Sequence, residues 1–422
     1  MTHTPSIVVI GLGYVGLPLA VALARHFPTT GFDIAVERVA ELAGGHDRTG
    51  EVEADKLAAS SLALTADLGD IAAKDVYIVT VPTPVDLENR PDLTPVLKAC
   101  ATVGRAMAKG AVVVFESTVY PGVTEDLCGP ELERASGLVC GQDFFLGYSP
   151  ERINPGDREH TVERITKVVA GQTPDVADLL ARVYGAVTTG GVFPAASIRA
   201  AEAAKVIENA QRDLNIAFIN EITMIFQRMG LSIYDVLDAS ATKWNFLNFK
   251  PGLVGGHCIG VDPFYLATCA LNHGHNPEII LAGRRINDNM GGWIAARIAE
   301  HMGRPGRILV LGLTFKENVP DLRNSKVIDV IHGLQRRGHT VEIHDPFADP
   351  VEARHEYGVA LRPGIDGAGP YDCVVGAVSH APYAAMDADA LAKLLTPDGL
   401  IADVKGMWRD LRPVAGNRLW RL

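Results

Sequence analysis

One stretch near the start of the chain, Ile7-Val-Val-Ile10-Gly11-Leu-Gly13-Tyr14-Val15-Gly16, decides its fold. The first four residues are apolar and β-branched, as in a buried strand, and an Ala/Leu-rich helical pattern follows the last glycine. Glycines between a strand and a helix permit a tight turn, close packing of the helix on the sheet and close approach of a phosphate group. The stretch therefore predicts the first strand–turn–helix unit of a parallel sheet.

Short β-branched runs alternate with Ala-rich helical stretches through the rest of the chain, which implies βαβ units. The runs predicted as strands of a first sheet are Ile7–Ile10, Thr30–Asp33, Val76–Val81, Ala111–Glu116, Phe144–Tyr148 and Lys167–Ala170. A second alternation starts at Arg307 and continues through a helix near Lys326–Arg336 and the runs Thr340–His344, Asp372–Val378 and Leu400–Val404. The sequence thus predicts two doubly wound α/β domains.

The segment between these domains is predicted to be helical. Residues 195–229 contain neither glycine nor proline, and a continuous helix of that length would span about 50 Å. The predicted fold is therefore α/β, with two Rossmann-like doubly wound domains joined by a long central helix and a helical dimerisation region. The predicted boundaries are 1–194, 195–304 and 305–422.

The composition excludes several partners. The chain has 422 residues, 39 basic and 50 acidic, with a net charge of −11, which disfavours nucleic acid or an anionic membrane. Six cysteines lie scattered without CxxC spacing, which predicts a reducing cytoplasm rather than a disulfide scaffold. The apolar segment 6–24 has no basic segment before it and is interrupted by glycines, so it reads as a buried strand and a helix start, not a membrane span.

The glycine turn is a dinucleotide-binding signature because its context is complete. A predicted strand precedes it, a helix follows it, and Asp33 ends the next strand, 17 residues after Gly16. An acidic side chain there hydrogen-bonds ribose hydroxyls and repels a 2′-phosphate, which predicts NAD rather than NADP. Arg38, close by, counts against this choice of NAD over NADP, since an arginine there can contact adenine or a phosphate; it is a predicted cofactor-binding residue. The alternative is a glycine-rich turn that binds no cofactor.

A cysteine in a second glycine-rich stretch is the predicted nucleophile. Cys258 lies in Lys250-Pro-Gly-Leu-Val-Gly-Gly-His-Cys-Ile-Gly-Val-Asp-Pro-Phe-Tyr265. Gly252, Gly255 and Gly256 would let the backbone approach a bulky ligand, and a thiolate can attack a carbonyl carbon. The alternative is a buried structural thiol.

Polar residues on the long predicted helix could stabilise the charges that such chemistry creates. Lys205 and Asn209 are four residues apart and share a helix face with Glu202. A lysine beside an asparagine can hold a developing oxyanion or a water molecule. The alternative is a pair of solvated side chains on a helix surface.

Two carboxylates complete the candidate site. Asp262 follows Cys258 by four residues, either as a charge partner or as a turn former before a proline. Glu151 follows a predicted strand, at the sheet edge where cofactor-side residues are expected, with a solvated loop carboxylate as the alternative. The side chains in this region that could bind a metal are His257, Cys258, Asp262, His273 and His275. Their spacing matches no compact Cys/His zinc pattern, so no metal is predicted.

With these pieces in order, the chain resembles the nucleotide-sugar 6-dehydrogenases, the UDP-glucose/UDP-N-acetylhexosamine dehydrogenase family, nearly end to end. The motifs that carry the resemblance are Gly11–Pro18, Val81-Pro-Thr-Pro84, Glu116-Ser-Thr-Val119, Ser149-Pro-Glu151, Ala201-Glu-Ala-Ala-Lys-Val-Ile-Glu-Asn209, Gly255-Gly-His-Cys-Ile-Gly-Val-Asp262, Gly312-Leu-Thr-Phe-Lys316 and Asp321-Leu-Arg-Asn-Ser325. The resemblance implies a four-electron oxidation of a sugar C6 alcohol to a carboxylate, with two NAD consumed and a thioester on Cys258 as intermediate. It also implies a dimer built on the long helix.

The same resemblance assigns roles to individual residues. The implied catalytic residues are Cys258, Lys205, Asn209, Asp262, Glu151 and Thr118. Those implied to bind NAD are Gly11, Gly13, Tyr14, Val15, Gly16, Asp33, Arg38, Pro82, Thr83, Thr118 and Arg323. Those implied to bind the UDP-sugar are Glu151, Arg152, Lys205, Asn209, Phe246, Phe249, Lys250, Gly252, Gly255, Phe315 and Lys316. A cross-subunit phosphate contact is suggested for Arg284 and Arg285.

The nucleophile loop bears on the choice of sugar. UDP-glucose dehydrogenases usually read Gly-Gly-Ser-Cys-Phe-x-Lys-Asp there, whereas this chain has His257, Ile259 and Val261 at the variable positions. These departures, and the run Lys243–Val254, resemble the bacterial N-acetylhexosamine enzymes that feed surface-polysaccharide assembly. The predicted substrate is UDP-N-acetylglucosamine, with UDP-N-acetylgalactosamine, UDP-N-acetylmannosamine and UDP-glucose as alternatives. A non-catalytic NAD or nucleotide-sugar sensor is the alternative of another class.

Overall fold

The computed structural model describes residues 4–86, 88–151, 161–256 and 259–422. The chain forms two compact units. The first unit comprises residues 1–208 and 264–275, and the second unit comprises residues 209–263 and 276–422. The three-part division at residues 194 and 304 stays a prediction.

The first unit contains an eight-stranded sheet. Its strands are β1 Ile7–Ile10, β2 Thr29–Phe32, β3 Ala63–Thr65, β4 Val76–Val79, β5 Val112–Phe115, β6 Phe145–Tyr148, β7 Lys167–Gly171 and β8 Val192–Pro194. The strand order is β3-β2-β1-β4-β5-β6-β7-β8, and all pairs are parallel except β6 with β7. The antiparallel pair departs from the purely parallel sheet expected, because an apolar run does not record the direction of its strand.

Helices cover both faces of this sheet. They are α1 Gly16–Ala24, α2 Val36–Ala43, α3 Ala54–Ala58, α4 Thr94–Ala106, α5 Gly129–Ser136 and α6 Pro174–Gly185. Alternate residues of β1 feed the two cores: Val8 and Ile10 pack with residues of α4 and α5, and Ile7 and Val9 pack with residues of α1 and α6. Such two-sided burial explains why the central strands read as continuous apolar runs.

The long helix α7 spans Ile198–Met229, about 48 Å at 1.5 Å per residue. It starts three residues later than predicted because the Ser197 hydroxyl accepts a hydrogen bond from the Ala200 N–H, as a helix cap does. The boundary between the two units falls within α7, after Glu208. Helices α8 Ile233–Ser240, α9 Asp262–Asn272 and α10 Glu278–Met302 follow. The predicted long central helix is confirmed.

The second unit contains a five-stranded parallel sheet of order β10-β9-β11-β12-β13. Its strands are β9 Arg307–Leu311, β10 Thr340–His344, β11 Tyr371–Gly376, β12 Leu395–Asp403 and β13 Arg418–Arg421, and its remaining helices are α11 Val327–Gln335, α12 Pro350–Tyr357, α13 Ala381–Ala384 and α14 Ala388–Ala392. Strands β3, β8 and β13 are absent from the sequence prediction because each has only three or four residues and is partly exposed, unlike the fully buried four-residue strands β1 and β4.

The first turns of the two sheets have the same construction. After β1, Gly11 has φ +94° and the Leu12 N–H donates to Asp33 at 2.9 Å. After β9, Gly312 has φ +98° and the Leu313 N–H donates to Asp345 at 2.6 Å. In each unit a carboxylate at the end of the second strand therefore fixes the turn after the first. The predicted pair of Rossmann-like domains is confirmed in this detail.

Candidate active site

The glycine turn after β1 has the geometry that dinucleotide binding requires. A Cβ on Gly16 would lie 1.8 Å from the Gly11 carbonyl oxygen and 2.4 Å from Thr80 Oγ1, so only glycine fits where α1 packs on the turn. A Cβ on Gly13 would meet no protein atom within 4 Å. Gly13 thus offers bare backbone at the start of a helix, where a pyrophosphate can approach.

Asp33 holds this turn and lies beside it. Its carboxylate accepts hydrogen bonds from the N–H groups of Leu12 and Ala35, both at 2.9 Å, and its side chain is half-buried. A carboxylate at this place can accept hydrogen bonds from ribose hydroxyls, so the residues present fit NAD. Tyr14 and Val15 complete the turn and are half-buried.

Arg38 has a structural environment that the sequence did not indicate. Its side chain is buried, and it donates to the Leu12 carbonyl at 3.0 Å, to Glu41 at 3.0 Å and to Asp47 at 2.6 Å. The guanidinium therefore braces the glycine turn from within the unit. Its contact with adenine or phosphate stays a prediction.

The register of the sheet aligns the ends of five strands. Ile10 pairs with Phe32 and Val79, Val79 with Phe115, and Phe115 with Tyr148. The segments that follow these strands therefore meet at one edge, the edge where ligands bind in open α/β sheets. Of the predicted residues, this edge carries Gly11, Gly13, Asp33, Pro82, Thr83, Thr118 and Glu151.

Glu151 lies at this edge in a buried group of ionisable side chains. Its carboxylate accepts a hydrogen bond from Lys167 Nζ at 2.7 Å, and the same Nζ donates to Glu116 at 3.2 Å. Tyr184 donates its hydroxyl to the other oxygen of Glu116 at 2.5 Å. All four side chains are buried, so Glu151 is not a solvated loop carboxylate. We call Glu116, Glu151, Lys167 and Tyr184 the Glu116 cluster.

Burial governs the ionisation of the Glu116 cluster. It raises the pKa of Glu116, and the Glu151 charge raises it further, while Lys167 opposes both effects. Burial alone would lower the pKa of Lys167, but the two carboxylates outweigh it and raise that pKa. Burial also raises the pKa of Tyr184 well above its usual range. Lys167 is therefore an ammonium ion placed between two carboxylates.

Lys205, on helix α7, lies next to Glu151. Its Nζ donates a hydrogen bond to the Glu151 carbonyl oxygen, and its side chain is buried. Glu202, also buried on α7, accepts hydrogen bonds from the N–H groups of Gly122 at 2.6 Å and Thr124 at 3.0 Å. Lys205 is thus a buried lysine rather than a surface one, and its catalytic role stays a prediction, while Glu202 anchors the segment after β5.

Asn209 and Asp262 form a buried pair in the second unit. The Asn209 amide donates to the Asp262 carboxylate, which lies in the first turn of α9. Both side chains are nearly inaccessible, so neither is a solvated helix residue and Asp262 is more than a turn former. A buried carboxylate with an amide partner can orient a water molecule or a reacting oxygen.

The loop that precedes Cys258 is clasped by its own unit. The Asn324 carbonyl oxygen would lie 2.6 Å from a Cβ on Gly255, and the Phe315 ring would lie 2.9 Å from a Cβ on Gly256. The Asn324 amide donates to the Gly256 carbonyl at 3.1 Å. These two glycines thus let the loop pack closely against Asn324 and Phe315, in addition to the predicted approach of a ligand. Cys258 and His257 lie outside the described residues, as does Arg152.

A second clasp holds the loop at Gly252. The Asn220 side chain accepts from the Gly252 N–H at 2.8 Å and donates to its carbonyl at 3.0 Å. Asn220 also donates to Asn287 at 2.8 Å, which donates in turn to Asp213 at 2.7 Å. Arg284 is buried and donates to Asp213 at 2.6 Å, whereas its neighbour in sequence, Arg285, is exposed.

The remaining predicted residues lie in the second unit with varied exposure. Arg323 donates to Asp321 at 2.6 and 2.8 Å and is about one-third exposed. Phe246 and Phe249 pack partly buried against a small core of α7 and α8. Phe315 and Lys316 are half-buried after β9, and Lys250 is exposed. Their contacts with a nucleotide sugar stay predictions.

Several residues of these networks were missed by the sequence reasoning. Lys167 carried a usable signal, since a lysine that begins an apolar strand and is buried with it needs a buried partner. Glu116 lay in a motif quoted above but had no role assigned. Asn324 also lay in a quoted motif without an assigned role, and Asn220 gave no signal, because its partners are distant in sequence.

The described part of the chain offers neither a membrane span nor a metal-binding group. None of its helices combines the length and the hydropathy that a membrane span requires. Within the same residues, no group of three histidine, cysteine or acidic side chains could hold a metal ion.

The doubly wound sheets, the glycine turn and Asp33 define a dinucleotide-binding oxidoreductase with two Rossmann-like domains. Three family models match: the NAD binding domain over residues 5–188, the central domain over 199–289 and the UDP binding domain over 309–410. The chain belongs to the UDP-glucose/GDP-mannose dehydrogenase family. NAD is its cofactor, as predicted.

Relatives in this family extend over the whole chain. Protein CapL of Staphylococcus aureus is 51% identical over 99% of both chains. The UDP-N-acetyl-D-glucosamine 6-dehydrogenase of Pseudomonas aeruginosa is 50% identical over 94% of this chain and 96% of its own. Among solved structures, the UDP-D-ManNAc dehydrogenase of Pyrococcus horikoshii has a TM-score of 0.88 at 28% identity, covering 98% of both chains. The predicted family is confirmed.

Proposed function

We propose that this protein oxidises C6 of UDP-N-acetylglucosamine to the carboxylate, with two NAD consumed per sugar. The observation that carries the proposal is the buried hydrogen bond between Asn209 and Asp262. Because Asp262 lies four residues beyond Cys258 in sequence, this pair is suited to acyl chemistry on the thiol. The choice of sugar is supported by 50% identity to a UDP-N-acetyl-D-glucosamine 6-dehydrogenase, against 28% to a UDP-D-ManNAc dehydrogenase. His257, Ile259 and Val261 beside the nucleophile also favour an N-acetylhexosamine.

NAD, when bound at the glycine turn, supplies the hydride acceptor for each of the two oxidation steps. The first step turns the C6 alcohol into an aldehyde, as C6 loses a hydride and the hydroxyl group loses its proton to water. The Cys258 thiolate then adds to the aldehyde carbon, and the resulting oxyanion takes up a proton to give a thiohemiacetal. Loss of a second hydride and of the hydroxyl proton leaves a thioester on Cys258. Water attacks this thioester, the C–S bond breaks, and the thiolate is restored.

The buried polar groups have roles that follow from their charges. Lys205 is a cation that can stabilise oxyanions at C6, and its hydrogen bond to the Glu151 carbonyl fixes its position. Asn209 and Asp262 orient the attacking water. By the family resemblance, Glu151 assists proton transfer in thioester hydrolysis, since a carboxylate can serve as a general base. Thr118 lies at the sheet edge that faces the cofactor.

The proposal extends to the setting of the reaction. Phe218, Ile225 and Met229 on α7 are 57%, 46% and 63% exposed, which supports a homodimer with α7 at its interface. The scattered cysteines support a cytoplasmic location. The uronic acid product is a precursor for surface polysaccharide.

The test is an NADH absorbance assay with UDP-N-acetylglucosamine and, in parallel, UDP-N-acetylgalactosamine, UDP-N-acetylmannosamine and UDP-glucose. We expect the highest kcat/KM with UDP-N-acetylglucosamine and two NADH per sugar consumed. Cys258→Ser is expected to bind NAD normally and to form no acid. Full acid formation by this variant would overturn the thioester mechanism, and tight binding without NADH from any of the sugars would favour a sensor.

A further inference from the structure

The Glu116 cluster contains more buried charge than the proposed reaction uses. Glu151 is the only member with a proposed chemical role, yet Glu116, Lys167 and Tyr184 are equally buried within the first unit. Burying ionised groups costs free energy unless they are paired and hydrogen-bonded. Within the cluster, the Lys167 ammonium donates hydrogen bonds to both Glu116 and Glu151.

We propose that Lys167 and Glu116 are positioning residues that fix the orientation and the charge of the Glu151 carboxylate, and so set the pH below which thioester hydrolysis stops. This inference rests on the proposed function, because it assumes that Glu151 acts as a base. Lys167 and Glu116 do not act on the sugar themselves. They act through Glu151.

The geometry supports this role in three ways. Lys167 Nζ reaches Glu151 at 2.7 Å and Glu116 at 3.2 Å, so the nearest oxygens of the two carboxylates are less than about 6 Å apart. The same Nζ donates to the Pro150 carbonyl at 3.5 Å, which ties it to the segment that carries Glu151. Tyr184 fixes Glu116 from α6 at 2.5 Å.

The four elements packed around Glu151 define its electrostatic surroundings. Among the residues that the structure describes, the charged or titratable groups that face it include Lys167 from β7, Glu116 from the end of β5, Tyr184 from α6 and Lys205 from α7. Lys205 contacts the Glu151 carbonyl, whereas Lys167 contacts its carboxylate. Lys167 and Glu116 are therefore the charges whose removal should change the ionisation of Glu151, in opposite directions.

The test compares Glu116→Gln with Lys167→Met by measuring kcat against pH at saturating sugar and NAD. Removing the Glu116 charge favours ionised Glu151, so the acid limb should move to lower pH. Removing the Lys167 charge should move it to higher pH. The shift in Glu116→Gln should be roughly one to two pH units, the effect of a unit charge about 6 Å away through a dielectric of about 20. The shift in Lys167→Met should be larger, because Lys167 Nζ lies 2.7 Å from the Glu151 carboxylate.

Matched variants separate charge from packing. Lys167→Arg keeps the cation and should restore the acid limb to within about half a pH unit of wild type. Tyr184→Phe removes one hydrogen bond and no charge, and should move the limb by less than about half a unit. If Glu116→Gln and Lys167→Met move the limb in the same direction, or leave it unmoved while binding NAD normally, the proposal is overturned.

A second measurement does not depend on turnover or on the identity of the sugar. In infrared difference spectra across neutral pH, the wild-type protein should show a carboxylic acid band from the Glu116 cluster, since Glu116 and Glu151 share Lys167. Burial also raises the pKa of Glu202 to about 7, so Glu202→Gln identifies the band of that residue. The cluster band should disappear in both Glu116→Gln and Glu151→Gln, because the remaining carboxylate keeps Lys167 as its partner. A cluster band that persists in Glu116→Gln would overturn the proposal even if no sugar is oxidised, and the sugar assay alone decides the proposed function.

Discussion

Two alanine substitutions in the glycine turn are expected to have different effects: Gly16→Ala should lower the stability of the fold, and Gly13→Ala should lower the affinity for NAD. Gly16→Ala places a methyl group 1.8 Å from the Gly11 carbonyl oxygen, which is backbone and cannot move aside cheaply. Gly13→Ala places one where no protein atom lies within 4 Å, and Gly13 has no left-handed φ that would strain an alanine. The first variant therefore tests packing, and the second tests approach of the cofactor.

The magnitudes follow from these contacts. Overpacking against backbone should cost Gly16→Ala about 3 kcal/mol or more of the unfolding free energy. Gly13→Ala should change that free energy by less than about 0.5 kcal/mol. Its affinity for NAD should fall at least tenfold, about 1.4 kcal/mol, because a methyl group blocks the close approach of the pyrophosphate.

Urea unfolding without NAD and titration calorimetry with NAD measure the two quantities separately. Gly13→Ala should unfold like the wild type and bind NAD weakly, whereas Gly16→Ala should lose stability first. Wild-type NAD affinity in Gly13→Ala would refute the position assigned to the pyrophosphate. Wild-type stability in Gly16→Ala would refute the packing argument.

Three further predictions concern the second unit. Burial would raise the pKa of Asp345, but hydrogen bonds from His380 and from backbone N–H groups outweigh it and hold that pKa well below its usual range. The contribution of Asp345 to the unfolding free energy is therefore present above about pH 4 and lost as pH falls. Asp345→Asn should cost about 2–4 kcal/mol of that free energy in urea titrations at neutral pH, and an equal cost in acid would contradict this. Asn220→Ala removes the hydrogen-bond partner of both the N–H and the carbonyl group of Gly252, and should lower the unfolding free energy by about 2–3 kcal/mol. It should also raise KM for the UDP-sugar and leave NAD affinity unchanged. An unchanged KM would show that Asn220 does not shape the loop. Phe218→Glu should convert the proposed dimer to monomers in light scattering, and an unaltered mass would place the interface elsewhere.

Local sequence predicted the elements with strong patterns. The apolar runs of β1, β4 and β5, the glycine turn and the long α7 each have a short-range signature, and the structure confirms them. Local sequence did not predict strands β3, β8 and β13, because they are short and partly exposed. Pairing with neighbouring strands, rather than composition, makes these segments strands.

The residues of the candidate site also fall into those that local sequence predicted and those whose surroundings only the fold revealed. The chain by itself indicated Asp33, Lys205 and Asn209, because each stands in a motif or at helical spacing. Only tertiary structure decided that Lys205 and Asn209 are buried rather than solvated.

The sequence by itself determined the two α/β domains, the NAD site and the family, because each depends on periodicity or on residues adjacent in the chain. Tertiary structure alone decided the partners of Glu151 and of the glycine loop. Lys167 and Glu116 are 51 residues apart, and Asn220 and Gly252 are 32 apart. Such contacts form only when strands and helices pack, and buried charges and amides then select the partners that satisfy them.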